Sequence, residues 1–180
     1  MGFQSWLASG TLLQGWALTQ QEAGQEGIVQ ICRGATAWRA TGTELWRPYY
    51  LALLAEAQEK IGRAEEGLRM LAEALTLMDK TGERYWEAEI QRLKGEFPLR
   101  QAVSDTPQAE ACFHQALDIA HRQQAKSLEL RAVMSLARLW QRQGQRAEAY
   151  ELLAPIYGWF TEGFDTTDLQ EAKALLEALA

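Results

Sequence analysis

The 180-residue chain has two cysteines, two histidines, four prolines and no excess of basic charge. Cys32 and Cys112 lie far apart, and neither belongs to a close pair. That excludes a disulfide framework or a Cys-x-x-Cys metal site and fits reduced thiols in a cytoplasmic protein. His114 and His121 would share one helical face two turns apart. A rise of roughly 10 Å is too long for one metal ion, so no metal or other cofactor is expected. A formal charge of -6 gives no general attraction for phosphates, which argues against a nucleic-acid partner. No apolar run approaches the roughly 20 residues of a membrane-spanning helix, and no signal-peptide pattern opens the chain. A Gly-x-x-x-x-Gly-Lys-Ser/Thr phosphate loop is also missing.

What the chain does contain is a repeat. The segment TGTELW at 41–46 returns as TGERYW at 81–86, which aligns Trp46 with Trp86. The same step backwards lands on Trp6, and a step two residues longer lands forward on Leu128. Nine residues after each of these comes a small residue: Gly15, Ala55, Gly95 and Ala137. A second series runs Gly27, Gly67, Ala109 and Ala149, followed four residues on by Ile31, Leu71, Phe113 and Leu153. Three residues further come Gly34, Ala74, Ala116 and Ile156. One two-residue insertion between Gly95 and Ala109 brings both series into register. Small residues at fixed places let two helices approach closely, and the large one between them fills the core.

Apolar residues at helical spacing, as in Leu68, Leu71, Leu75 and Met78 at i, i+3, i+7 and i+10, make the segments helical. The pattern places helices at about 3–20 and 24–41, 45–60 and 63–80, 84–100 and 107–123, 127–142 and 145–160, with a last one at about 168–179. Gly62 reads as a helix stop, Thr106-Pro107 as an N-cap with proline at the first helical position, and Thr167 with Gln170 as a capping box. Pro98 is expected to kink or end its helix near Phe97.

The small-large-small pattern resembles the tetratricopeptide repeat. Ala109, Phe113, Ala116 and Leu117 match that family's second helix, and Gly15 and Gly95 match the glycine of its first. The units here run to about 40 residues rather than about 34, so longer second helices are expected. The resemblance implies an all-α fold: a right-handed superhelix, or solenoid, of about four antiparallel helix pairs plus a C-terminal capping helix. It would form a single domain over 1–180, with repeats at about 3–43, 44–83, 84–125 and 126–163 and the capping helix at 167–180. The stretches SLELRAVMSLARLWQRQG at 127–144, LAPIYGWFTEGFD at 153–165, TGERYWEAE at 81–89 and GWAL at 15–18 are also similar to the C-terminal region of large bacterial signalling proteins. In those proteins nucleotide-cyclase and ATPase domains precede a tetratricopeptide array. This implies a regulatory, protein-interacting region and carries over no catalytic activity.

No convergent set of Ser, His and acid side chains suggests catalysis, and no catalytic, cofactor-binding or metal residue is assigned. Trp6, Trp46 and Trp86 share one repeat position, which favours packing between repeats; Trp140 and Trp159 are expected in the core. In tetratricopeptide arrays the first helix of each pair lines a concave face. Counting from the small first-helix residue gives Ser9, Leu12, Trp16 and Thr19, then Tyr49, Ala52, Glu56 and Glu59. The later pairs give Glu89, Arg92, Glu96 and Arg100, then Arg131, Met134, Arg138 and Gln141, with Arg142 alongside. Trp16, Tyr49, Glu56, Arg92, Arg131 and Arg138 are the expected partner-binding residues. A protein or peptide segment with acidic residues near one end and apolar ones near the other would suit them, because arginine forks hold carboxylates. Two alternatives stand beside this reading. A homodimer would cover Trp6 and the apolar stripe around Leu7, and a small-ligand sensor would use Trp16 and Tyr49.

Overall fold

The computed structural model describes residues 2–21, 24–100 and 105–180, and all regular structure among them is α-helical. The helices are α1 Phe3–Gln20, α2 Gly24–Ala40, α3 Arg47–Lys60, α4 Ala64–Thr81, α5 Glu87–Leu99, α6 Thr106–Arg122, α7 Lys126–Arg142, α8 Arg146–Tyr157 and α9 Thr167–Leu179. The chain divides into two compact units, Met1–Trp86 and Glu87–Ala180.

In the first unit the glycines decide how α1 meets α2. A Cβ on Gly15 would lie 2.6 Å from the Ile31 nitrogen, and one on Gly34 would lie 2.6 Å from the Leu12 nitrogen. A Cβ on Gly27 would come within 2.6 Å of the Gly15 carbonyl oxygen. Backbone therefore touches backbone along the whole crossing. Positions descend along α2, from Gly34 to Ile31 to Gly27, as they rise along α1 from Leu12 to Gly15 to Thr19, so the two helices are antiparallel. Helix α3 then lays Tyr50, Leu53 and Ala57 into a core with Ile28, Ile31 and Trp38 of α2 and Ala8 and Leu12 of α1. Helix α4 pairs with α3 and buries Gly67, Leu71, Ala74 and Met78, the register read from the sequence.

The second unit follows the same scheme. Gly95 on α5 lets the Phe113 ring of α6 come so close that a Cβ there would stand 2.6 Å from its Cε1. Ala109, Phe113 and Ala116 are fully buried on α6, and Ala137, Ala149 and Leu153 on α7 and α8. Helix α9 packs on α7 and α8 through Leu169, Ala172, Leu175 and Leu179, which covers the apolar side of the last pair. The fourth member of the last small-residue series, Ile156, is only partly buried and packs at the edge of that cluster.

Helix ends depart from the sequence reading in several places. Gly62 does stop α3: at φ +81° it lets its own N–H reach Glu59 O and the Arg63 N–H reach Gln58 O, a Schellman closure. Helix α6 is capped one residue earlier than expected. Asp105 is the N-cap and its carboxylate accepts from the Gln108 N–H at 3.1 Å, which puts Pro107 inside the first turn. No capping box forms at α9. Thr166 is the N-cap, its hydroxyl donates to Gly163 O, and Gln170 reaches Asp165 O instead. Helix α5 runs two residues past Phe97 to Leu99, with Pro98 in its last turn, so the expected end near Phe97 is displaced only to the next turn boundary. Helix α8 ends at Tyr157, three residues short of the expected bound, two residues after Pro155. The two-residue insertion read between Gly95 and Ala109 falls in a stretch of which 101–104 lie outside the described residues.

Candidate functional site

Residues one repeat apart on successive first helices meet side by side within each unit. In the first unit the Trp16 indole N–H on α1 donates to Glu56 Oε2 on α3 at 2.8 Å. The Tyr50 hydroxyl donates to Ser9 Oγ at 3.0 Å, and Lys60 donates to Gln20. Tyr49 stacks on Trp86 with ring centroids 4.2 Å apart and planes 17° from parallel. Trp16 and Tyr49, the pair suggested for a small-ligand pocket, thus hold different partners. Burial pushes the Tyr50 hydroxyl pKa up, against the hydrogen bond to Ser9.

In the second unit the corresponding face is a network of charges. Glu89 on α5 is buried and takes a two-pronged contact from Arg92, at 3.0 Å through Nε and 2.7 Å through an Nη. Arg131 on α7 donates to the same carboxylate at 3.2 Å and, through Nε, to Asp168 of α9 at 2.8 Å. Ser135 donates to Glu96 at 2.6 Å and receives from Arg92 at 3.4 Å. Arg138 pairs with Glu171 of α9 at 2.7 Å. Burial pushes the Glu89 carboxyl up, but the charges and hydrogen bonds of Arg92 and Arg131 together outweigh it and hold it below the ordinary carboxylate range. Burial likewise opposes the charge of Arg131, and Glu89 and Asp168 more than restore it.

Beyond Arg138 this face opens into a cleft of about 410 Å³ lined by Arg138, Gln141 and Arg142 of α7 and Glu171, Ala174 and Leu175 of α9. It brings two guanidinium groups one helical turn apart, Arg138 already paired with Glu171, beside the exposed Ala174, and guanidinium groups suit carboxylates.

Of the six expected partner-binding residues, the structure joins Trp16 to Glu56 and Arg92 to Arg131 through Glu89. Arg138 stands at the open cleft. Sequence reasoning missed Asp168 and Glu171. Their only signal was two acids three residues apart near the start of the last helix, opposite a pair of arginines seven residues apart. Glu89 was expected to line a surface and is instead buried between two arginines.

The tryptophans divide by neighbour. Trp46 stacks on Trp38 of the preceding repeat, centroids 6.4 Å apart and planes 9° from parallel, and Trp86 stacks on Tyr49 of its own preceding repeat. Trp6 is exposed. Trp140 is partly buried and donates to Glu110 at 2.7 Å. Trp159, expected in the core, is exposed, because α8 ends before it and leaves it in the turn that leads to α9, with Lys126 over its ring.

The histidines face different acids. His114 lies 3.9 Å from Glu110 and His121 lies 3.2 Å from Glu129. Among the described residues no group of three or more His, Cys, Asp or Glu side chains is placed to hold a metal ion, and no helix is long and apolar enough to cross a membrane.

No protein-family model matches the chain. An uncharacterized protein of Rhizobium meliloti (strain 1021) is 28% identical over 137 residues, which cover 76% of this chain and 13% of that protein. The chain therefore spans about an eighth of the length of this relative. Among solved structures, the nearly identical TPR-like repeats of a kinesin light chain-type protein from Podosopora anserina superpose with a TM-score of 0.69 at 19% identity, covering 99% of this chain and 87% of that one. A single-substitution variant of the same protein gives 0.67 at 19% identity, covering 99% and 95%. The fold is that of TPR-like helical repeats.

Proposed function

We infer that the chain is a protein-interaction scaffold that binds a partner segment on the face lined by the first helix of each pair, and that its role is binding rather than catalysis. The supporting observation is the lateral contact of lining positions one repeat apart, Trp16 with Glu56 and Glu89 with Arg131, with the buried Ser135 bridging Arg92 and Glu96 beside them. Such contacts fix the side chains before a partner arrives, so little ordering cost is left for binding. On this reading Arg92 and Arg131 keep the face in shape, and Arg138 with Arg142 meets the partner. Trp16, Tyr49 and Glu56 give the first unit its own aromatic and acidic face. The partner at the cleft is a segment with carboxylates followed by apolar residues, because Arg138 and Arg142 line it together with Ala174 and Leu175.

The match to a short stretch of a much longer bacterial protein supports placing this scaffold within a larger bacterial signalling protein of the kind the sequence resembles, working in the cytoplasm. The test is fluorescence anisotropy with labelled peptides that carry an acidic cluster followed by apolar residues. The expected result is saturable binding, weakened at least about tenfold by Arg138→Ala with Arg142→Ala, since a charge-assisted hydrogen bond contributes roughly 1.5 kcal/mol or more. Binding that is indifferent to both substitutions, or equal for basic peptides, overturns the reading.

A further inference from the structure

Helix α9 delivers its acids to α7 in order. Arg131 takes Asp168 and Arg138 takes Glu171, so positions rise together along the two helices, which run in the same direction. One turn beyond Arg138 stands Arg142, and the other α9 residues that line the cleft with it are Ala174 and Leu175. The arginines of α7 are therefore met by acids at two places and by none at the third. Arg142 is exposed, and among the described residues no carboxylate pairs with it.

The two pairs differ in how firmly they hold. Arg131 serves two acids, Asp168 at 2.8 Å and Glu89 at 3.2 Å, and Glu89 is buried and gripped by Arg92 as well. A group tied to a buried charge is not free to change partners. The contact of Arg138 is one Nη donating to Glu171 Oε2 at 2.7 Å, with the two side chains 38% and 52% exposed. An ion pair this open to water adds little to the fold, and another carboxylate can take its place at small cost. Glu171 also lies where a partner's carboxylate would have to come, since it lines the same cleft as Arg138 and Arg142.

We propose that Glu171 is a built-in competitor at the cleft: a partner's first carboxylate lands on Arg142 unopposed, and a second reaches Arg138 only by displacing Glu171. This rests on the reading of the cleft as the partner's seat, and adds to it the residue that sets what each carboxylate contributes. Two guanidinium groups one turn apart stem from Cβ atoms about 6 Å apart, which fits a segment with two acids close together. Without displacement the second acid would share Arg138 with Glu171 and meet a like charge beside it. The guanidinium fork favours a two-pronged grip on one carboxylate, which makes exchange the better outcome than sharing. The opposite role, a support that aims Arg138 at the partner, would call for an arginine held from several sides, as Glu89 and Asp168 hold Arg131. The two roles predict opposite signs when Glu171 loses its charge.

Fluorescence anisotropy reads the sign, with two labelled peptides alike except that one carries two acids and the other a single acid before the apolar residues. Glu171→Gln, at an exposed position, keeps the helical circular dichroism. It should tighten the two-acid peptide about threefold or more, through the lost pair and the repulsion removed, and the single-acid peptide much less. Arg138→Ala in the Glu171→Gln background should abolish the gain. Glu177→Gln removes the same charge from α9 outside the cleft and should leave both affinities unchanged. Affinity that falls or stays level in Glu171→Gln, while Arg138→Ala with Arg142→Ala still weakens wild-type binding, overturns the competitor and leaves the partner-binding reading intact. Equal tightening by Glu177→Gln also overturns it, since net charge alone would then account for the gain. No binding of either peptide to wild type or to Glu171→Gln overturns the partner-binding reading, and the competitor with it.

Discussion

Alanine at Gly15 and alanine at Gly10 add the same methyl group to the same helix, with opposite expected results. At Gly15 the new Cβ would stand 2.6 Å from the Ile31 nitrogen, 2.8 Å from the Gly27 oxygen and 3.0 Å from the Gln30 carbonyl carbon. All three are backbone atoms and none can rotate away, so α1 and α2 must part by several tenths of an ångström. Overpacking of this kind costs about 1–3 kcal/mol, and a backbone clash on three atoms belongs at the upper end. Alanine returns up to about 1 kcal/mol of helix propensity, which leaves Gly15→Ala less stable by about 2 kcal/mol. At Gly10 there is no clash, and the propensity gain of up to about 1 kcal/mol remains. The two variants should differ by about 3 kcal/mol in urea unfolding followed by tryptophan fluorescence and far-ultraviolet circular dichroism. A Gly15→Ala protein as stable as wild type would refute the close approach and, with it, the reason for small residues at that repeat position.

Three further outcomes follow from the second unit. Phe113→Ala removes the fully buried ring beside Gly95 and should cost about 3–5 kcal/mol in urea unfolding, whereas Phe113→Leu should cost far less. Glu89→Gln leaves Arg92 and Arg131 without their shared counter-charge and should cost about 3 kcal/mol near neutral pH. Because the native Glu89 carboxyl is held below its ordinary value, its contribution is complete above roughly pH 4.3 and disappears as pH falls through the lower native value. The acid side of the stability curve should therefore be flatter in Glu89→Gln than in wild type. Gln124 sits at φ +54° in the Schellman closure of α6, a place that Gly62 and Gly144 hold after α3 and α7. Gln124→Gly should raise the unfolding midpoint, by about 1 kcal/mol in stability, through relief of left-handed strain.

The helix pairs were legible because close packing leaves a narrow choice of residue. Where a Cβ would stand 2.6 Å from a backbone atom of the facing helix, as at Gly15, Gly27 and Gly34, only glycine fits, and the spacing of small residues records the crossing directly. Phe113 and Leu153 were legible for the complementary reason, since a large apolar residue between two small ones has no other place to go. Helix ends were less so. Asp105 and Thr106 both qualify as caps, and only the chain's approach to α6 decides between them.

The candidate face was half legible. Its positions followed from the register, but their partners did not. Arg131 and Arg138 meet carboxylates delivered by α9, from across the 158–166 connection, and no local pattern encodes that return. Glu89 reads as a surface acid because its two arginines lie three residues away and one repeat away, and the second contact has no local pattern to announce it. Trp159 failed for a related reason. Its burial depended on α8 reaching three residues further than it does.

The central claim, a partner held on the first-helix face, is tested most directly by site-specific photocross-linking with a peptide that carries an acidic cluster followed by apolar residues. One cross-linker would replace Gln141 on α7 and another would replace Glu148 on the exposed surface of α8. The account expects cross-links from position 141 that an excess of unlabelled peptide abolishes, and none from position 148. Equal labelling from both positions, or labelling from 148 alone, would contradict it.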